Sequence, residues 1–150
     1  MILDDTDRRI LNRIQTRFPI TLRPYKTIAE DLGLTEDDVI QRIRKLKQND
    51  VIRRIGGNFV PEKVGFVSTL CAARVPEDAI DDFADVVNRY PGVTHNYQRD
   101  HDVNIWFTFI APSMAEIETN LEQIARETGV GEILNLPATR VFKIRAKFDL

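Results

Sequence analysis

Cysteine is nearly absent from this chain. Cys71 stands alone among 150 residues, which excludes an intramolecular disulfide and any all-cysteine metal site within one chain. Its neighbourhood, VSTLCAARV, gives the thiol a packing place on a strand. No apolar run approaches the length of a bilayer span, and the opening stretch MILDDTDRRIL is acidic and amphipathic, unlike a secretory signal. A cytoplasmic location is therefore expected. Histidine is scarce too: His95 and His101 are the only two, and the scattered carboxylates lack zinc-like spacing, so the chain shows no metal site of its own. A strong basic excess is also missing. Residues 1–56 carry 12 Lys/Arg against 9 Asp/Glu and residues 57–150 carry 9 against 14, within a net charge of -2. The N-terminal part is only mildly basic, short of the stripe that marks tight nucleic-acid binding.

What is present concentrates in one place. The stretch HNYQRDHDVNIWFTF, residues 95–109, reads as a β-hairpin holding both histidines, a tyrosine, an arginine, an asparagine and the single tryptophan. At a period of two, His95, Tyr97 and Arg99 share one face of its first strand, and Asn104, Trp106 and Thr108 share one face of its second. Val103, Ile105, Phe107 and Phe109 fall on the opposite face, as expected of a strand packed on helices. A face meant only for water more usually carries Thr, Lys, Glu and Ser. A solvated hairpin or a structural hydrogen-bond network is the plainer alternative, but the constellation favours a site.

The order of elements frames that hairpin. A first helix starts near Asp5 or Thr6, with Ile10, Leu11, Ile14 and Phe18 at helical spacing, and ends before Pro19. FPITLRPYK carries two prolines and reads as a structured loop. A short helix follows, with Ile28, Ala29 and Leu32 inward and Gly33 as its stop. Thr35 caps a third helix with Val39, Ile40, Ile43 and Leu46 inward, completing a helix-turn-helix. Val51, Ile52 and Ile55 suggest a short strand or wing. After a linker at 61–65 the pattern predicts strand (66–75), helix (79–89), strand (93–99), strand (104–110), helix (113–128) and strand, with 139–150 as a further strand having one basic face. The expected class is α+β: a winged helix-turn-helix over residues 1–60, then a ferredoxin-like βαββαβ domain over 61–150 for substrate binding and dimerisation.

Helix-turn-helix followed by βαββαβ resembles the Lrp/AsnC family of regulators across essentially the whole chain. Four segments point further: FPITLRPY after the first helix, IRRIGGNF after the third, GVTHNYQRDH with NIWFT in the hairpin, and LNLPATRVFKI near the end. Together they resemble the siroheme decarboxylases, Lrp-like proteins often paired as two related subunits in the alternative haem pathway and in haem d1 synthesis. The A-type subunit is the nearer likeness. The family hairpin commonly reads His-x-Tyr-Asn where this chain has His101-Asp102-Val103-Asn104. Valine thus replaces an aromatic that could line the pocket, and the subunit either does chemistry itself or completes its partner's site.

The resemblance implies loss of carbon dioxide from two ring acetates of siroheme, leaving methyl groups, with no redox step and no cofactor beyond the iron-tetrapyrrole substrate. A polycarboxylate of that size calls for arginine's bidentate fork and a broad apolar surface. The substrate-binding candidates are Arg53 and Arg54 in the wing, Arg99 in the hairpin, Lys143 and Arg145 in the last strand, and Asn104, with Tyr97 and Trp106 lying against the ring. His95 and His101 are the candidates for proton transfer, since imidazole titrates near neutrality, and either could instead ligate the siroheme iron. An open sheet face exposing Trp106 with Leu70 or Val67 predicts assembly, with a sister subunit as heterodimer or as a homodimer. No membrane is implied. The competing reading is a ligand-responsive DNA-binding regulator that uses Gln41, Arg42, Arg44, Lys45 and Lys47 of the third helix. Against it, that helix begins Glu36-Asp37-Asp38, three carboxylates where a recognition helix meets the duplex.

Overall fold

The computed structural model describes residues 2–57, 59–143 and 147–150. Its helices are α1 (Asp5–Ile14), α2 (Pro24–Leu32), α3 (Glu36–Gln48), α4 (Ile80–Asn88) and α5 (Met114–Thr128); its strands are β1 (Val67–Ala73), β2 (Val93–Gln98), β3 (Ile105–Ala111) and β4 (Ile133–Leu136). The chain divides into a helical unit, Met1–Gly57 with Lys143–Leu150, and a sheet unit, Asn58–Phe142. Among the described residues no helix is long and apolar enough to cross a membrane.

In the helical unit, Asp4 and Asp7 form a reciprocal capping box that starts α1. Pro24 takes the first position of α2, where its missing N–H has no partner to lose, so that helix begins inside the segment predicted as loop. Gly33, at φ 69°, ends α2 in the left-handed conformation that favours glycine. Thr35 Oγ1 accepts from the Asp38 amide at 3.2 Å and caps α3. Ile10, Ile28, Val39 and Leu46 meet in a core fully removed from water.

Two expectations fail here. The described residues of 51–57 form no strand, so the predicted wing is irregular chain. The described residues of 139–150 form no strand either, residues 144–146 of that expected strand lying outside the described residues, and Lys143 and residues 147–150 group with the helical unit. The cause is local. Gln15 Nε2 donates to the Phe148 carbonyl at 2.7 Å while its Oε1 accepts from the Phe148 amide at 2.9 Å, and Asn12 Nδ2 donates to the Leu150 carbonyl at 2.9 Å. Side-chain amides in the last turn and at the C-cap of α1 thus satisfy backbone groups of the terminal segment.

In the sheet unit the strand order is β2-β3-β1-β4 with every neighbouring pair antiparallel. Phe83 and Val87 of α4 and Ile117 and Ile124 of α5 pack on Cys71, Ile105, Phe107 and Phe109, so both helices cover one face. β3 alternates strictly between buried and half-buried along its length. Val67 pairs with Ala111 and packs against the helix-covered core, which corrects its expected place on the open side. Leu70, paired with Thr108 and Leu136, does lie on the open side and is 42% exposed.

Candidate functional site

The open face of the sheet carries most of the hairpin candidates. Its geometry depends on a β-bulge. Val93 pairs with Phe109 on the helix side, yet His95 pairs with Thr108 and Tyr97 with Trp106 on the open side, because the register slips between Val93 and His95. Strict alternation would have put Val93, His95 and Tyr97 on one face; the extra residue, Thr94, lets the valine enter the core while the two rings stay outside. Asn96 then turns toward α4, where its Nδ2 donates to Asn88 Oδ1 at 3.0 Å.

On that face the side chains touch in series. The His95 and Tyr97 rings stack with centroids 6.1 Å apart and planes 27° apart. The Arg99 guanidinium lies 5.9 Å from the centre of the Tyr97 ring, a cation–π contact that contributes about 0.5–1 kcal/mol at an exposed position. Trp106 is half-buried opposite Tyr97 and Ala72. His95, Tyr97 and Arg99 are exposed, so a large planar anion could reach an imidazole, a phenol and a guanidinium along one edge of the sheet. Thr94 was not singled out by sequence; its hydroxyl lies 3.0 Å from His95 Nδ1, and adjacency to the histidine was the only signal.

Asn104 has a different task from the one expected. Its Oδ1 accepts from the Val75 amide at 2.9 Å and its Nδ2 donates to the Val75 carbonyl at 2.8 Å, prolonging the β1–β3 ladder by a side chain. Both ends of that amide are held by backbone. His101 lies in the turn between β2 and β3, exposed, with its Nδ1 accepting from the Val103 amide at 3.0 Å.

The remaining cationic candidates belong to the helical unit. Arg53 and Arg54 are exposed and line a cleft of about 590 Å³ whose apolar wall includes Phe18, Ile55, Phe148 and Leu150. Lys143 is exposed, and Arg145 lies outside the described residues.

The regulator reading loses one of its contacts. Arg42 Nη1 reaches Asp4 Oδ2 at 2.7 Å and Asp7 Oδ1 at 2.8 Å, so the guanidinium is tied to the start of α1. The same contact holds the Asp4 carboxyl below its ordinary range, chiefly through the hydrogen bond from Arg42.

Two family models match the chain: the siroheme decarboxylase NirDL-like HTH domain over residues 7–53 and the AsnC-like ligand binding domain over residues 63–143. The siroheme decarboxylase alpha subunit of Desulfovibrio desulfuricans is 55% identical over 148 residues, 99% of this chain and 85% of that protein. The crystal structure of the siroheme decarboxylase NirDL superposes with a TM-score of 0.68 at 32% identity, covering 97% of this chain and 48% of that one. The chain therefore spans about half the length of that solved protein. A second structure of NirDL, in complex with an iron-uroporphyrin III analogue, gives a TM-score of 0.66 at 30% identity, covering 92% of this chain and 47% of that one. On identity, coverage and the two matched models together, the chain belongs to the siroheme decarboxylase family.

Proposed function

We propose that this chain is a siroheme decarboxylase subunit whose open sheet face receives the tetrapyrrole and whose histidines serve the reacting acetates. The supporting observation is that His95, Tyr97, Arg99 and Trp106 converge along one side of the β2–β3 hairpin in a chain so close to an alpha subunit of that name. In each of two steps the bond between an acetate methylene and its carboxylate breaks, carbon dioxide leaves, and the electron pair stays with the methylene. One proton then completes a methyl group, so no oxidant or reductant is consumed. The conjugated ring of the substrate delocalises the developing charge.

The protein's share is to hold and to protonate. Arg99 on the open face suits the substrate's carboxylates. Tyr97 and Trp106 offer apolar area with a polar edge. General acid catalysis supplies about 10²- to 10⁴-fold, whereas enzymes commonly reach 10⁶-fold or more. The larger part must come from fixing the acetate in a drier setting among oriented dipoles. A sister subunit of the same architecture would supply that dryness by covering the open face, where Leu70, Leu136 and Tyr97 are 42%, 42% and 46% exposed.

The test is anaerobic incubation of the chain with siroheme, alone and with its sister subunit, followed by mass spectrometry. Loss of two carbon dioxide units in either mixture is expected. Siroheme recovered intact from both would reject the reading.

A further inference from the structure

His101 is presented by a turn that leaves its ring little choice of tautomer. The Val103 backbone amide donates to His101 Nδ1 at 3.0 Å, so the neutral ring keeps its lone pair on Nδ1 and its proton on Nε2. Two side chains anchor the chain immediately after that amide. Trp106 Nε1 donates to the Val103 carbonyl at 2.8 Å. Asn104, next along the chain, is clamped through its side chain to Val75 at 2.9 and 2.8 Å and through its backbone amide to the Ala73 carbonyl at 3.1 Å. The backbone amide of His101 itself donates to the Arg99 carbonyl at 3.0 Å.

We infer that Trp106 and Asn104 are positioning residues that hold His101 as the Nε2–H tautomer, so that it offers the substrate a neutral hydrogen-bond donor and does not ligate the iron. This rests on the decarboxylase reading for the identity of the substrate, though not for the tautomer. An imidazole bound to a metal through Nε2 carries its proton on Nδ1 and gives it to an acceptor. Here Nδ1 faces an N–H, so ligation through Nε2 would set two hydrogens against each other, and a doubly protonated ring would do the same. His95 is under no such constraint. Its Nδ1 neighbour is the Thr94 hydroxyl, 3.0 Å away, which can donate or accept. Proton delivery and iron ligation are therefore left to His95, and His101 acts by hydrogen bonding from a ring oriented by the sheet.

The experiment uses the full chain labelled with ¹⁵N-histidine and long-range proton–nitrogen correlation at neutral pH. Wild-type His101, assigned by its disappearance in His101→Gln, is expected to show an unprotonated Nδ1 and a protonated Nε2. Trp106→Phe keeps a ring but loses the N–H; it is expected to move the His101 pattern toward mixed tautomers and leave His95 unchanged. A proton on His101 Nδ1 in the wild type overturns the inference, and so does an unmoved pattern in Trp106→Phe; the wild-type spectrum is decisive even if that variant fails to fold. In a second arm siroheme is titrated anaerobically into wild type and His101→Gln, each with the sister subunit. Affinity should fall about tenfold or more with the iron-ligand absorption bands unchanged, and bands that shift would overturn the inference. Wild-type protein that binds no siroheme would reject the decarboxylase reading, and the substrate half of this inference with it, while the tautomer would still be decided by NMR.

Discussion

The side-chain amide of Gln15 is bonded at both ends to the backbone of Phe148, donating at 2.7 Å and accepting at 2.9 Å. A side chain has here taken the role of a neighbouring strand. Gln15→Ala removes both bonds at once from a half-buried position, so a stability loss of about 1 kcal/mol is expected. The sharper readout is amide hydrogen exchange: protection at Phe148 should vanish in the variant while the amides of β3 keep theirs.

Arg42 joins α3 to the first turn of α1, and Asp7, one of its two partners there, is 5% exposed. Arg42→Ala strands that carboxylate and should cost about 2 kcal/mol, between the values for exposed and fully buried pairs. The pH dependence follows from Asp4, whose carboxyl is held below 3.8, first by the hydrogen bond from Arg42. A carboxyl depressed on folding adds stability above its unfolded value and loses it as pH falls through the folded one. The advantage of wild type over Arg42→Ala should thus be fully present at neutral pH and shrink below about pH 4, as followed by chemical unfolding across a pH series.

Gly92 precedes β2 so closely packed that an added methyl would fall on the Ile110 carbonyl oxygen and the Phe109 ring. The carbonyl of Gly92 also accepts from the Ile110 amide at 2.9 Å, which ties the two backbones together. Gly92→Ala should cost about 1–3 kcal/mol by overpacking. Gly131, with open space around its Cα, is the control, and Gly131→Ala should leave the urea midpoint nearly unmoved.

Cys71 is fully buried on the helix side of β1, and burial pushes its thiol up to about 12. The thiolate is the reactive form, so a disulfide reagent at pH 8 should leave the native protein unmodified and label it at the rate of unfolding. Rapid labelling of folded protein would contradict the packing described.

Legibility in the sequence followed the strength of the local signal. The caps of α3 and α5, at Thr35 and Ser113, are side-chain acceptors just ahead of apolar periodicity. β3 declared its two faces through four alternating large residues. Parity alone was ambiguous in β2, where Val93 and His95 share a phase but not a face, because no sequence rule announces a bulge. Alternation misled among the described residues of 139–150: apolar and basic residues do alternate there, but Phe148 and Leu150 meet the side-chain amides of Gln15 and Asn12. His95, Tyr97 and Trp106 were expected on one side of the hairpin, and they share the open face because cross-strand pairs do. The ladder-extending bonds of Asn104 were not legible, because an amide that extends a ladder looks, in sequence, like one that meets a ligand.

The polypeptide leaves the helical unit at Gly57 and re-enters it at Lys143, so the sheet unit is an insertion in a host that is finished last. During synthesis α1, α2 and α3 are made first, yet Phe148, which lines the cleft beside Arg53, emerges only after every strand. Cutting the gene after residue 57 would therefore yield a fragment with one wall of its own cleft missing.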